Sequence, residues 1–232
     1  MSKRKLVVLT GAGMSAESGI STFRDSGGLW EKHNVEDVAS IEGWMRNPSL
    51  VHQFYNARRK QLVNVQPNMG HVGLSALEKA FDVHIITQNV DNLHERAGSS
   101  NVLHLHGELM KVRSVRNESR IYELPEDDCE VTVDTRDEHG DAVRPHIVFF
   151  GESVPMIDEA ISTTMQADIF VVIGTSLNVY PAASLLHFVP AGVPIYIIDP
   201  NPVHPPCDVE VEYIVKGAVE GVKELVCKLL ER

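Results

Sequence analysis

The chain has 232 residues, 43% hydrophobic and 23% charged, the usage of an ordinary folded protein that sustains its own core without staples. Its 21 basic and 32 acidic residues leave a formal charge of −11, which argues against nucleic-acid partners and favours lysine-bearing protein segments. Cys129, Cys207 and Cys227 form no C-x-x-C pair, and no stretch approaches the roughly 20 apolar residues of a membrane span, so the expectation is a cytoplasmic protein with no membrane partner.

Buried strands are predicted at Leu6–Leu9, Val83–Thr87, Ile147–Phe150, Ile169–Ile173 and Pro194–Ile198. Most are apolar throughout, as strands covered on both faces should be. Helical patterns fall between or after them at Pro48–Val65, Met69–Phe81, Asn89–Ala97, Pro155–Gln166, Pro181–Phe188 and Val219–Leu230. Asn47 before Pro48 makes a favourable start, and Gly98 stands where a C-terminal glycine belongs. The alternation predicts an α/β fold, a Rossmann-like parallel sheet with helices on both faces. Two stretches break the rhythm, a loop and helical insertion over 25–65 and an acid-rich module over 108–143. The remaining segments, 1–24, 66–107 and 144–232, are assigned to the Rossmann-like domain.

Thr10-Gly11-Ala12-Gly13-Met14-Ser15-Ala16 follows a buried strand and fits G-x-G-x-x-A. Such glycines permit a tight turn and close approach of a pyrophosphate to backbone N–H groups. A hydride-transferring dehydrogenase should show a second strand ending in an acid about 20 residues on. Residues 27–37 are not a strand, and the acid that does end one is Asp199, far downstream. The pattern points to a nucleotide site with wiring unlike that of a standard dehydrogenase.

Gly11-Ala-Gly-Met-Ser15, Gly19-Ile-Ser-Thr-Phe-Arg24, Thr87-Gln-Asn-Val-Asp91, His104-Leu-His-Gly107, Phe150-Gly-Glu152 and Gly174-Thr-Ser176 occur in that order. Together they resemble the sirtuins, NAD-consuming protein deacylases, over nearly the whole chain except 108–143. The resemblance implies that NAD is a co-substrate held by Gly11, Ala12, Gly13, Ser15, Ile20, Phe23, Arg24, Gln88, Asn89, Asp91, Gly174, Thr175, Ser176, Asp199, Asn201 and Ala218. Phe23 would cover the nicotinamide ribose, Arg24 would bring charge to the phosphates, and Asn89 would assist catalysis. On the residues alone, Asn89 or Asp91 reads equally as a helix cap and Phe23 as core.

The resemblance further implies that nicotinamide departs when an acyl-lysine carbonyl oxygen attacks the ribosyl carbon. The 2′-hydroxyl then needs a base near neutral pH, which suits histidine. The family places that base before a glycine, here His106. The products would be nicotinamide, lysine and 2′-O-acyl-ADP-ribose. A rival reading treats His104 and His106, two apart on a strand, as a metal pair with Asp91 and His94. Mono-ADP-ribosyl transfer and a catalytically silent NAD-binding module are the alternatives on the same scaffold.

Arg144–Glu152 resembles the segment that receives substrate by strand addition, with Val148, Phe149, Phe150 and Gly151 lining the lysine tunnel. Tyr55 and Arg58 stand three apart, on one helix face. They resemble the Tyr-x-x-Arg pair of class III sirtuins, the desuccinylase and demalonylase group, in which a guanidinium grips a terminal carboxylate. The expected partners are acylated lysines of proteins bearing succinyl, malonyl or acetyl groups. Typical sirtuins hold a structural zinc with two C-x-x-C pairs. Over 108–143 this chain has Cys129 alone, so no structural zinc is expected, and Ile121-Tyr122, Leu124 and Val131–Val133 are expected to hold the module as a short hairpin.

Overall fold

A computed structural model describes residues 2–20, 33–205 and 209–231. Six parallel strands form the main sheet: β1 (Lys5–Thr10), β2 (Asp82–Thr87), β3 (Val102–His104), and, later in the chain, Ile169–Ile173, Ile195–Ile198 and Glu212–Ile214. Three more strands, β4 (Gly107–Ser114), β5 (Ile121–Glu123) and β6 (Val143–Ile147), make a separate antiparallel sheet in the order β5-β4-β6. The last three strands of the main sheet are therefore β7, β8 and β9, and its order is β3-β2-β1-β7-β8-β9.

From β1 the chain winds outward through β2 and β3, then returns to the other side of β1 and winds outward again through β7, β8 and β9. The connectivity reverses between β1 and β7, and ligands in open parallel sheets bind outside the carboxyl ends of the strands at such a point. Both faces of the sheet are covered. Leu6, Val8, Val171 and Ile198 pack one way against α5 (Met69–Leu77) and α8 (Ala218–Leu230), through Leu74, Leu77, Val222 and Leu225. Val7, Leu9, Phe170 and Ile197 pack the other way against α7 (Ile157–Thr164) and a 3-10 helix, Ala182–Phe188. That double burial is why the strands read as unbroken apolar runs.

A third cluster joins α2 (Val35–Val38), α3 (Ile41–Arg46) and α4 (Pro48–Val63) to the small sheet, with Phe54, Tyr55, Leu62, Leu109 and Phe149 at its centre. The Asn47 side chain accepts from Leu50 N at 3.1 Å, so α4 starts where its cap and proline place it. Among the described residues no helix is long and apolar enough to cross a membrane.

Several sequence expectations are corrected. The strand expected at Ile147–Phe150 lies earlier, at Val143–Ile147, and Pro145 is tolerated because β6 is an edge strand. The helix expected from Asn89 starts at Leu93 as α6 (Leu93–Arg96), because residues 88–91 form a loop whose polar groups are spent elsewhere. The helical segment expected at Pro181–Phe188 is the 3-10 helix Ala182–Phe188. Within the acid-rich stretch the hairpin is β4–β5, pairing Val112 with Tyr122, while Val131–Val133 is no strand. Val131 is instead docked on α4. The Asn56 side chain donates to Val131 O at 2.8 Å and accepts from Val131 N at 3.0 Å, and Arg59 Nη1 donates to the same Asn56 oxygen at 2.8 Å.

Candidate active site

A cleft of about 1040 Å³ opens at the carboxyl ends of β1, β7 and β8, where the strand order reverses. Its floor is two interlocked glycine turns. Gly13 N donates to Gly174 O at 2.9 Å, and a Cβ on Gly13 would stand 2.7 Å from Gly174 Cα. Gly174 itself has φ +62, and a Cβ there would meet Met14 N at 2.4 Å. Only glycine satisfies both demands, so backbone N–H groups are brought to the surface of the cleft. Gly11, Ala12, Gly13, Ser15 and Ile20 line one side, Gly174, Thr175 and Ser176 the other, and Asp199, Asn201 and Ala218 the far end. Asp199 accepts from Asn201 N at 2.8 Å, which orders that turn. Phe23 and Arg24 lie outside the described residues.

The loop 88–91 crosses the cleft, tied by hydrogen bonds to both sides. Gln88 N donates to Thr10 O (2.9 Å), and the Gln88 amide nitrogen reaches Thr175 Oγ1 across the strand reversal (3.1 Å). Asn89 Nδ2 donates to Gly11 O (3.0 Å) and Ser15 Oγ (3.1 Å), and Val90 O accepts from Leu109 N (2.7 Å). Asp91 is buried, which raises its carboxyl, while Leu93 N, the Ser15 hydroxyl, His104 and Arg58 favour its charge. Its bond to Leu93 N, 3.2 Å, closes a turn just before α6, whose cap residue is Asn92, so neither Asn89 nor Asp91 is the helix cap their residue types suggested.

His106 faces the cleft. Its Nδ1 lies 3.0 Å from the Gln88 carbonyl oxygen, which can only accept, so Nδ1 carries the proton and Nε2 is left with its lone pair. Burial lowers its pKa below the usual histidine value, opposed by that one bond. The imidazole is thus neutral near pH 7 and presents a basic nitrogen. His104, two residues earlier, is placed otherwise: Nδ1 at 3.1 Å from Asn89 O and Nε2 at 2.6 Å from Glu95 Oε1. Both His104 nitrogens are committed to protein oxygens, so it shares no ligand with His106, and among the described residues no group of three or more His, Cys, Asp or Glu side chains could hold a metal.

Tyr55 and Arg58 stand on the cleft wall formed by α4. Burial pushes the Tyr55 phenol up to about 12, and burial also lowers Arg58, whose charge Tyr55 and Asp91 support. The Arg58 guanidinium carbon lies 5.8 Å from the Tyr55 ring centre. Opposite them, Val148, Phe149, Phe150 and Gly151 line the entrance. The amides of this segment are already spent: Val148 N on His106 O (3.0 Å), Phe149 N on Glu152 Oε2 (2.8 Å) and Phe150 N on Ala39 O (2.8 Å). Phe150 is nevertheless 52% exposed.

Glu152 is what holds that segment. It takes a bidentate pair from Arg144 (2.7 and 3.0 Å) and a third bond from Arg113 (3.3 Å). Burial opposes its charge, but these partners and the Phe149 amide keep the carboxyl below its usual range. Sequence reading missed this triad, the Asn56–Arg59 pair and the His104–Glu95 pair. It also missed Val179 and Tyr180, which complete the entrance after Leu177, a non-glycine residue at φ 56.

A family model described as "Sir2 family" matches residues 11–181. An NAD-dependent protein deacylase of Bacteroides thetaiotaomicron is 60% identical over 225 residues, covering 96% of each chain. One of Helicobacter pylori is 49% identical over 228 residues, covering 98% of each. A solved Sir2 homologue in complex with NAD superposes with a TM-score of 0.87 at 38% identity, over 99% of this chain and 90% of that one. The strand reversal, the paired glycine turns and the neutral imidazole at their edge have a common explanation: this chain belongs to the Sir2 family of NAD-dependent protein deacylases.

Proposed function

We propose that the chain removes carboxylate-tipped acyl groups, succinyl and malonyl above all, from protein lysine, with acetyl as a further substrate. The products are nicotinamide, free lysine and 2′-O-acyl-ADP-ribose. The observation that carries this reading is the placement of Tyr55 and Arg58 together on the cleft wall. A buried guanidinium with a phenol at its side grips a terminal carboxylate in a way that a methyl group cannot reward.

The fit to the dinucleotide rests on the Gly13–Gly174 interlock, a cradle that any Cβ would fill. NAD bound there supplies a ribose whose bond to nicotinamide is labile and whose 2′-hydroxyl receives the acyl group. Gly11, Gly13 and Ser15 turn the start of α1 (Ala12–Ala16) toward the phosphates. Asn89, tied to Gly11 O and Ser15, and Asp91 frame the nicotinamide end. Gln88 O holds the proton on His106 Nδ1, leaving Nε2 to take one from the ribose hydroxyl. Val148, Phe149, Phe150 and Gly151 exclude water around the lysine stem. The small module carries no structural zinc in this reading, its place being taken by Asn56 and by the Val112–Val131–Val143 cluster.

Mass spectrometry of the products from a succinyl-lysine peptide with NAD tests the reaction, and Arg58→Met tests the acyl choice. The expected result is a fall of about tenfold or more in succinyl turnover relative to acetyl, the loss of a charge-assisted bond. An unchanged ratio eliminates the role given to the pair. Stoichiometric zinc in the purified protein would overturn the metal-free module.

A further inference from the structure

Two histidines hang from consecutive carbonyls of the 88–91 loop, His106 from Gln88 O and His104 from Asn89 O. The first has one acceptor partner. The second has two, the Asn89 carbonyl at 3.1 Å and the Glu95 carboxylate at 2.6 Å, and its side chain is only 8% exposed. Neither oxygen has a hydrogen to give, so both ring nitrogens donate, and a histidine that donates twice is an imidazolium. Geometry thus separates two rings two residues apart into a neutral base and a fixed cation.

We propose that His104, held as an imidazolium between Asn89 O and Glu95, is a positioning residue for the 88–91 loop, and that NAD binding weakens when His104 gives up its proton. This rests on the reading that Asn89 and Asp91 hold the nicotinamide end. The mechanism is a competition for one hydrogen. A neutral His104 keeps a single N–H, and the carboxylate is the stronger acceptor, so the bond to Asn89 O is released. The carbonyl of the Asn89–Val90 peptide then loses its His104 partner, and the loop is held on this side by the next carbonyl, Val90 O, which accepts from Leu109 N. The Asn89 side chain, on Gly11 O and Ser15, moves with it.

The surrounding charges favour the cation. From α6, Glu95 pairs with it directly and His94, itself neutral from burial, lies behind; from β4, Glu108 adds its charge, with Lys111 paired to Glu108 at 2.8 Å; from the loop, Asp91 faces it. Burial opposes the proton, but the Glu95 and Glu108 charges and the Asn89 bond raise the His104 pKa above the usual value. Asp91 also gains, since a neighbouring cation favours its ionised form against burial.

The test is the dissociation constant of NAD, measured by calorimetry without acyl peptide from pH 6 to 9, beside the carbon-13 resonances of labelled histidine. The expected wild-type affinity is constant at low pH and weakens several-fold as the His104 resonance titrates, above pH 6.5. His104→Gln keeps a donor for Asn89 O without the charge, and should bind NAD with no step over this range. Glu95→Gln, which preserves shape, should move the His104 resonance and the step in affinity together to lower pH. A step that stays at its wild-type pH in Glu95→Gln, or a flat affinity through the His104 titration, overturns the proposal. Asn89→Ala serves as the separate control: unchanged NAD affinity there sinks the nicotinamide-end reading on which the proposal stands, whatever His104 does.

Discussion

His106 and Gln88 are 18 residues apart in sequence, yet the imidazole Nδ1 lies 3.0 Å from the Gln88 carbonyl oxygen, and this one contact decides which nitrogen of the ring is basic. Gln88, just after β2, and the turn that carries His106, just after β3, are neighbours because the two strands pair in parallel, Thr87 opposite His104. Replacing His106 by Ala should lower kcat about 10²–10⁴-fold, the usual worth of a positioned base, with little change in NAD affinity. Because burial lowers its pKa, the acid limb of kcat/KM should lie below pH 6.5. A pH–rate profile checks it, and a limb above that value would assign the base elsewhere.

The glycine interlock is the least forgiving place in the cleft. Gly174→Ala would put a side chain at φ +62 with its Cβ 2.4 Å from Met14 N. Strain of about 1–3 kcal/mol is expected from the backbone alone, before the clash. NAD affinity should fall by about tenfold or more, read by calorimetry alongside a lowered melting temperature.

Asn56 should matter more than its size suggests. It satisfies both backbone groups of the fully buried Val131, and accepts from Arg59, which is itself 0% exposed and donates to Leu109 O at 2.8 Å. Asn56→Ala strands buried polar groups and should cost about 2–4 kcal/mol in urea unfolding. Hydrogen exchange should show the Val131 amide losing protection. Lys60→Ala, which removes the exposed pair with Glu130 nearby, should cost less than about 1 kcal/mol.

Acid should unfold the chain early. Burial lowers His52 and His71 to about 4, and lowers His94 and His106 as well. An unfolded histidine titrates near 6.5, so between about pH 6.5 and 4 the unfolded chain binds more protons than the folded one, and stability falls as pH falls. His104 has the opposite sign: its raised pKa adds stability that is complete below 6.5 and lost as pH rises through its folded value. Urea midpoints across pH 4–8 should therefore rise steeply up to about pH 6.5 and flatten above; equal stability at pH 4.5 and 7 would contradict the burial of these rings.

Much of this fold is legible in the residues. Leu6–Leu9, Val83–Thr87 and Ile169–Ile173 announce strands because helices cover both faces. Gly11 and Gly13 announce the turn because nothing larger fits. The β4–β6 sheet is hard to read because what it buries does not alternate: Arg113, Ser114 and Arg144 are buried beside Val112 and Val143, while Ile121 is exposed. His104 and Glu95 are hidden for another reason. Their partnership joins the edge strand β3 to α6, and nothing local marks a histidine that must donate twice. Arg59 reads as a solvated cation beside Arg58 and Lys60, and its burial is explained by its contacts with Leu109 O and the Asn56 side chain.

The order of the strands has a bearing on how the protein is made. While a ribosome has delivered β1, β2 and β3 but not yet β7, the first glycine turn has no counterpart, and β1 remains an open edge. The glycine-floored cleft then comes into being late, at the moment residues 169–174 dock, so a truncated product can carry every signature of the first hundred residues and still own no such pocket.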